Sequence, residues 1–139
     1  MGKTEVSLDQ IEVNGKTYVP VGPEQATPEM TDHYVIVRSR DAGVFAGEVE
    51  SQDWDFIFDP CGYTGVESLV ITKCRRLWYW EGAASLSELA MKGVGEPEKC
   101  QFPCEVSAHL VQGICEVLPC TKAAQQSIKS VPVWSANHG

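Results

Sequence analysis

The chain has few basic residues and no long apolar run. Against 19 Asp and Glu stand 11 Lys and Arg, a net charge of −8 over 139 residues. General binding to DNA or RNA needs a broad basic footprint, so that class is set aside. No run of about 18 apolar residues occurs, so no membrane helix is expected. MGKTEVSLDQ has no apolar stretch after its lysine and does not read as a secretory signal. MGKTEV also lacks the Ser or Thr that a myristoylation site carries at its sixth position. Nucleophile-elbow, zinc-protease and P-loop motifs are missing too. Repeats and low-complexity segments are likewise missing. The 43% hydrophobic content is ordinary for a globular chain of one domain.

What is present is concentrated. All four arginines fall in two short segments, Arg38 and Arg40 in YVIVRSR and Arg75 and Arg76 in CRRLWYW, while the seven lysines are scattered. Arginine holds flat anions with a planar fork and stacks on aromatic faces, which lysine does not. The alternative role is ion pairing with the abundant carboxylates.

Asn14-Gly15 marks a two-residue hairpin turn within residues 8–21. A Pro-rich connection, 22–31, follows. Residues 34–40 form a β-branched strand with Arg38 and Arg40 on one face, and Asp41-Ala42-Gly43 turns into 44–51. Residues 52–67 are less regular, with a short strand expected at WDFIF. LVITKC, 69–74, is a strand that RRLWYW can extend. Period two then puts Arg76, Trp78 and Trp80 on one face and Arg75, Leu77 and Tyr79 on the other.

Ser85-Leu86-Ser87-Glu88 is a capping box, with Leu86, Leu89 and Ala90 on one helical face and Gly93 and Gly95 as stops. Two more strands meet around Gln112-Gly113. A short helix capped by Thr121 follows, with Ala124 and Ile128 on one side, then the extended VPVW. The expected fold is mainly β, a small barrel or sandwich of about six to eight short strands with two short helices, in effect a β-rich α+β domain. The expected organisation is a hairpin and connection at 1–33, a β-rich domain at 34–134 and a frayed tail at 135–139.

Six cysteines occur, and without a signal peptide they are expected as reduced thiols. Cys100, Cys104, Cys115 and Cys120 make C-x3-C and C-x4-C pairs, a poor match to zinc-knuckle spacing and compatible with packed thiols. Asp53, Asp55 and Asp59 lack the Gly and terminal Glu of a calcium loop. His109 lies in a strand, where a structural role is expected, and Cys74 beside Arg75 has no evident base. No catalytic set, metal or cofactor is therefore expected. A ligand site is drawn from Arg75, Arg76, Trp78, Trp80 and Ser85, with Arg38 or Arg40 assisting. Forks would take phosphate, indoles would stack on a base, and a helix N-terminus would add free amides. The competing reading makes WYW core, its edge capped by the arginines through cation–π contacts.

Three stretches carry a family likeness: YVIVRSRDAGVFAGEVES, CRRLWYWEGAASLSELAMKGV and EKCQFPCEV. They resemble small proteins encoded by tailed phages and prophages, filed as a domain of unknown function. The likeness runs from about Tyr34 to Trp134. It carries over to Val44, Phe45, Ala46 and Gly47, to Arg75 through Trp80, to Gly82, Ala83, Ser85 and Leu86, and to Phe102 and Pro103. Gln101 stands where the family has Lys, and Trp54 to Glu67 is an insertion where it has an Asp-Gly hairpin.

The resemblance implies a phage origin and a host-cytoplasm setting. The resulting expectation is a non-enzymatic, homo-oligomeric binding protein. It would sequester an anionic nucleotide-derived signal of bacterial defence. The alternatives are a structural or accessory virion protein, an inhibitor that binds a host protein, and an enzyme acting on a nucleotide.

Overall fold

The computed structural model describes residues 11–13, 16–18, 28–59 and 66–135. Strands β1 (Ile11–Val13) and β2 (Lys16–Tyr18) pair antiparallel, as the Asn14-Gly15 signal requires. The turn residues themselves, most of the Pro-rich connection, Cys61 and the end of the tail lie outside the described residues.

The main body follows in chain order. It comprises β3 (Met30–Ser39), β4 (Gly43–Glu48), α1 (Ser51–Ile57), β5 (Ser68–Arg76), α2 (Leu86–Lys92), a 3-10 turn at Pro97–Lys99, β6 (Val106–Gln112), β7 (Ile114–Thr121) and α3 (Lys122–Ser130). Five strands form one antiparallel sheet in the order β6-β5-β4-β3-β7. The fold is a β-rich α+β fold, but the sheet is open, which corrects the expected barrel or sandwich.

Interior strand β3 is buried on both faces, so its Tyr34-Val35-Ile36-Val37 run is continuously apolar. Tyr34 and Ile36 join a core under α2 and α3 that includes Leu77, Leu89, Phe102 and Ile128. Val35 and Val37 point the other way, into a core with Phe45, Ile71 and Val111. Trp54, Ile57 and Phe58 pack against that second core.

Those three residues come from the segment expected as a strand. WDFIF satisfies both periods, but the burial follows the helical one. Trp54, Ile57 and Phe58 share a stripe, whereas Phe56, the middle residue of a period-two pattern, is 51% exposed. Among the described residues there are thus three α-helices rather than the two expected. Both expected caps form. Glu88 N donates to Ser85 Oγ at 3.1 Å, with Glu88 reaching back to Ala84 N, and Ala124 N donates to Thr121 Oγ1 at 3.0 Å. Thr121 also donates to Met91 O at 2.7 Å, tying the end of α2 to the start of α3.

The sheet is coiled hard. β6 and β7 are its opposite edges, yet only Gly113 separates them. Four flat interstrand steps would hold the edges about 19 Å apart, whereas two residues reach about 7 Å. The corners that meet are also diagonal: Gln112 pairs with Ser68 at the start of β5, and Ile114 pairs with Ser39 at the end of β3. Gly113 makes this junction with a φ of +69°, and it accepts from Arg40 N at 2.9 Å. Ser39 Oγ donates to Gln112 O at 2.6 Å beside it. Among the described residues no helix is long and apolar enough to cross a membrane.

Candidate functional site

β5 ends at Arg76, and the aromatic stretch that follows is tied to two neighbouring segments. Leu77 N donates to Val44 O at 2.8 Å and Trp78 N to Gln101 O at 3.2 Å, while Gln101 N donates to Tyr79 O at 2.8 Å. These bonds carry the chain from the sheet to the Gln101 segment, and Leu77 faces the same cavity as its neighbours rather than away from it. Arg76, Trp78 and Trp80 line one cavity of about 380 Å³, floored by Val44 and Leu77 and walled by the Ala42-Gly43 turn. That volume lies within the usual range for small-molecule sites, roughly 300–1,000 Å³.

Arg76 is the one charged residue in this lining. Its guanidinium stacks over the Phe45 ring, 4.5 Å from the centroid, and donates through Nη1 to Ala42 O at 2.5 Å. None of the described ion pairs involves it. Among the described residues no carboxylate pairs with this half-buried arginine, in a chain that carries 19 Asp and Glu. Two contacts fix its orientation, so the rest of the fork can meet an anion without first being ordered. Trp78 is 64% exposed, an open indole face, while Trp80 is partly buried against the core under the helices.

The other expected residues disperse. Arg75 faces the opposite way, is 4% exposed, and gives its fork to the protein itself. Its Nε donates to Pro103 O at 2.9 Å, Nη1 to Ile128 O at 2.8 Å and Nη2 to Phe102 O at 3.1 Å. Burial lowers its pKa, the cost of taking the cation out of water. Arg75, expected to contact a ligand, is buried and each of its three guanidinium nitrogens already donates to a backbone carbonyl, so it belongs to the core rather than to the cavity.

Arg38 sits opposite Val44 in the sheet, one cross-strand step from the cavity floor. Its Nε donates to Glu116 Oε1 at 2.6 Å, and that bond raises its pKa. Arg40 lines a separate space of about 430 Å³ at the Gly113 corner, with Glu67 and Gln112. Ser85 is occupied as the cap of α2 and does not line the Arg76 cavity.

The four thiols considered for zinc do not assemble. Cys100 and Cys120 are buried in the core under the helices, whereas Cys104 and Cys115 are exposed. No cluster of three or more metal-ligating side chains occurs among the described residues. Burial pushes the Cys74 and Cys120 thiols up to about 12, so neither is poised as a nucleophile. His109 packs edge-on against Phe45, with ring centroids 4.7 Å apart.

Sequence reasoning did not find Phe45, which orients Arg76, or Ala42, whose carbonyl anchors it. Phe45 lies in the family-like VFAG stretch, the one signal that singled it out.

A family model described as Domain of unknown function (DUF6948) matches residues 32–128, and the chain belongs to that family. No curated protein and no solved structure matches it.

Proposed function

We propose, taking membership of this family as the premise, that the chain is a non-enzymatic binding protein for a flat, anionic, nucleotide-derived ligand. The ligand sits in the cleft of Arg76, Trp78 and Trp80. The supporting observation is the pre-oriented Arg76 fork, free of any described ion pair, beside an exposed indole in a cavity of ligand size. The fork takes phosphate through charge-assisted bonds. Trp78 takes a base by stacking, worth about 1–3 kcal/mol. The cleft lining supplies a cation, two π faces and apolar walls, a set suited to holding a ligand unchanged. In this reading the gene belongs to a tailed phage or prophage, and the protein sequesters a nucleotide signal of bacterial defence in the host cytoplasm.

Native mass spectrometry with cyclic di- and trinucleotides and cyclic ADP-ribose isomers tests this. The expected result is a stoichiometric adduct that heat releases chemically intact. Arg76→Ala should keep the fold and lose the adduct, and Trp78→Ala should weaken it about 5- to 150-fold, the equivalent of one stacked base. Release of an altered nucleotide would make the protein an enzyme.

A second reading rests on the exposure of Trp78 together with that of its neighbour Tyr79, 45% exposed. Trp, Tyr and Arg are also the side chains of protein hot spots. On that reading RRLWYW docks a virion or host protein, no nucleotide binds, and the chain is found at fixed copy number in purified particles or co-purifies with a host protein.

A further inference from the structure

The two free edges of the sheet are built differently. β7 carries Pro119, which removes a donor from its strand, a charged Glu116 held by Arg38, and irregular pairing with β3. These features discourage a further strand from adding to that edge. β6 has none of them. Its sequence is VSAHLVQ, regularly paired to β5 on one side and to no strand on the other among the described residues. From Val106 through Ile114 there is no Asp, Glu, Lys or Arg.

The side chains on β6 point the same way as the backbone argument. Val106, Ala108 and Leu110 alternate on one face and are exposed, and exposed Val70 on β5 lies directly opposite Leu110. Water thus meets an apolar stripe at an uncharged, unpaired edge.

We infer that β6 pairs with β6 of a second copy of this chain, antiparallel about a two-fold axis at Ala108. Charge favours this location. Two molecules of net charge −8 repel, so their contact must fall where carboxylates are absent. The stripe fixes the register. Centring on Ala108 sets Val106 against Leu110 of the other copy twice over, and keeps both helical layers on one face of a continuous sheet. A shift by one residue would set the stripe against inward-facing Val111 and His109. The pairing also closes: it uses each β6 once and leaves only the guarded β7 edges, giving a dimer and no fibre. A single strand pair with three flanking apolar side chains is a small contact, of about 1,200 Å² or less, so the dimer is reversible.

Sedimentation velocity tests this at about 100 µM, above the micromolar range expected for a modest interface. The wild-type chain should run at two-chain mass, and Leu110→Lys at one-chain mass with an unchanged far-UV spectrum. Ala108→Lys, also at an exposed position, repeats the test at the axis should Leu110→Lys fail to fold. Val133→Lys, a change at an exposed apolar residue away from β6, should leave the dimer in place. A one-chain mass for the wild type, or a two-chain mass for folded Leu110→Lys or Ala108→Lys, overturns the inference.

Discussion

Adjacent Arg75 and Arg76 should respond oppositely to the same substitution. In Arg75→Met the long apolar stem is kept and the fork is lost. Three bonds go with it, to the carbonyls of Pro103, Ile128 and Phe102. Phe102 O keeps a second donor in Trp134 N and Ile128 O keeps Val131 N, whereas no other bond to Pro103 O is described. A bond to a charged group contributes about 1.5–3 kcal/mol, and a stranded buried acceptor costs about 1–3. Removing a desolvated cation offsets part of this, so the expected loss is about 3–4 kcal/mol, a large share of a domain's usual 5–15. Arg76→Met loses one bond to Ala42 O and the stack on Phe45, both at the low end of their ranges because the side chain is half-buried, together about 2 kcal/mol. Urea unfolding followed by tryptophan fluorescence and far-UV circular dichroism measures both, provided the slope with denaturant is unchanged. Ligand retention should show the reverse asymmetry wherever Arg75→Met remains folded. Equal losses of stability, or a greater loss for Arg76→Met, would refute the assignment of one arginine to the core and the other to the cleft.

Two further perturbations test the packing. The Cys74 and Cys120 thiols are held up to about 12 by burial, so in alkali the unfolded chain releases their protons first. The native state then binds more protons than the unfolded one, and stability falls as pH rises through the unfolded thiol range toward 12. Between pH 9 and 10.5 the two together should cost about 3 kcal/mol. Burial also raises the Tyr34 phenol, which steepens the fall above pH 10. Denaturation at stepped pH reads this slope, and Cys74→Ala should reduce it by nearly half below pH 10; an unchanged slope would mean that Cys74 ionises freely in the native state. Gly47→Ala should destabilise by about 1–3 kcal/mol or more, because a Cβ there would meet Ile71 Cγ2 and come within 2.8 Å of Thr72 O. A melting temperature equal to that of the wild type would show that β4 and β5 can separate at no cost.

Local signals in the sequence were good guides where a residue's own chemistry decides the outcome. Ser85 and Thr121 cap helices because their hydroxyls reach the amide three residues on, and this needs no tertiary partner. The grouping of Arg76, Trp78 and Trp80 around one cavity was legible, but strict alternation does not hold: Leu77 lines the same cavity, and Trp80 packs with Leu77 against the core under the helices whereas Arg76 stacks on Phe45 of the other core. Signals failed where distant chain decides. WDFIF reads as strand or helix until the second core selects the stripe of Trp54, Ile57 and Phe58. Gln112-Gly113 looks like any junction between strands, and nothing local shows that it ties diagonal corners of a coiled sheet. Arg75 is held by carbonyls about 27 and 53 residues away, and backbone acceptors leave no trace in side-chain type.

The division of labour between Arg75 and Arg76 rests on one residue that belongs to neither core nor cleft. Between Glu48, opposite Thr72, and Ala46, opposite Arg75, β5 has one residue more than β4. The extra residue is accommodated at Lys73, whose φ of +48° is the left-handed conformation that bulges use and that side chains other than Gly seldom adopt. Side chains alternate with a period of two, so every position after such an insertion is moved to the opposite face. Without the bulge, Arg75 would be turned toward Phe45 and the cavity, and Arg76 toward the carbonyls under α3. The same bulge explains Gly47. It brings the β5 backbone so close that a Cβ on Gly47 would sit 3.1 Å from Cys74 Cα. The family-like VFAG stretch and the RRLWYW stretch are therefore one device: Gly47 admits the bulge, the bulge sets the phase of the arginines, and Phe45 receives the one that the phase delivers.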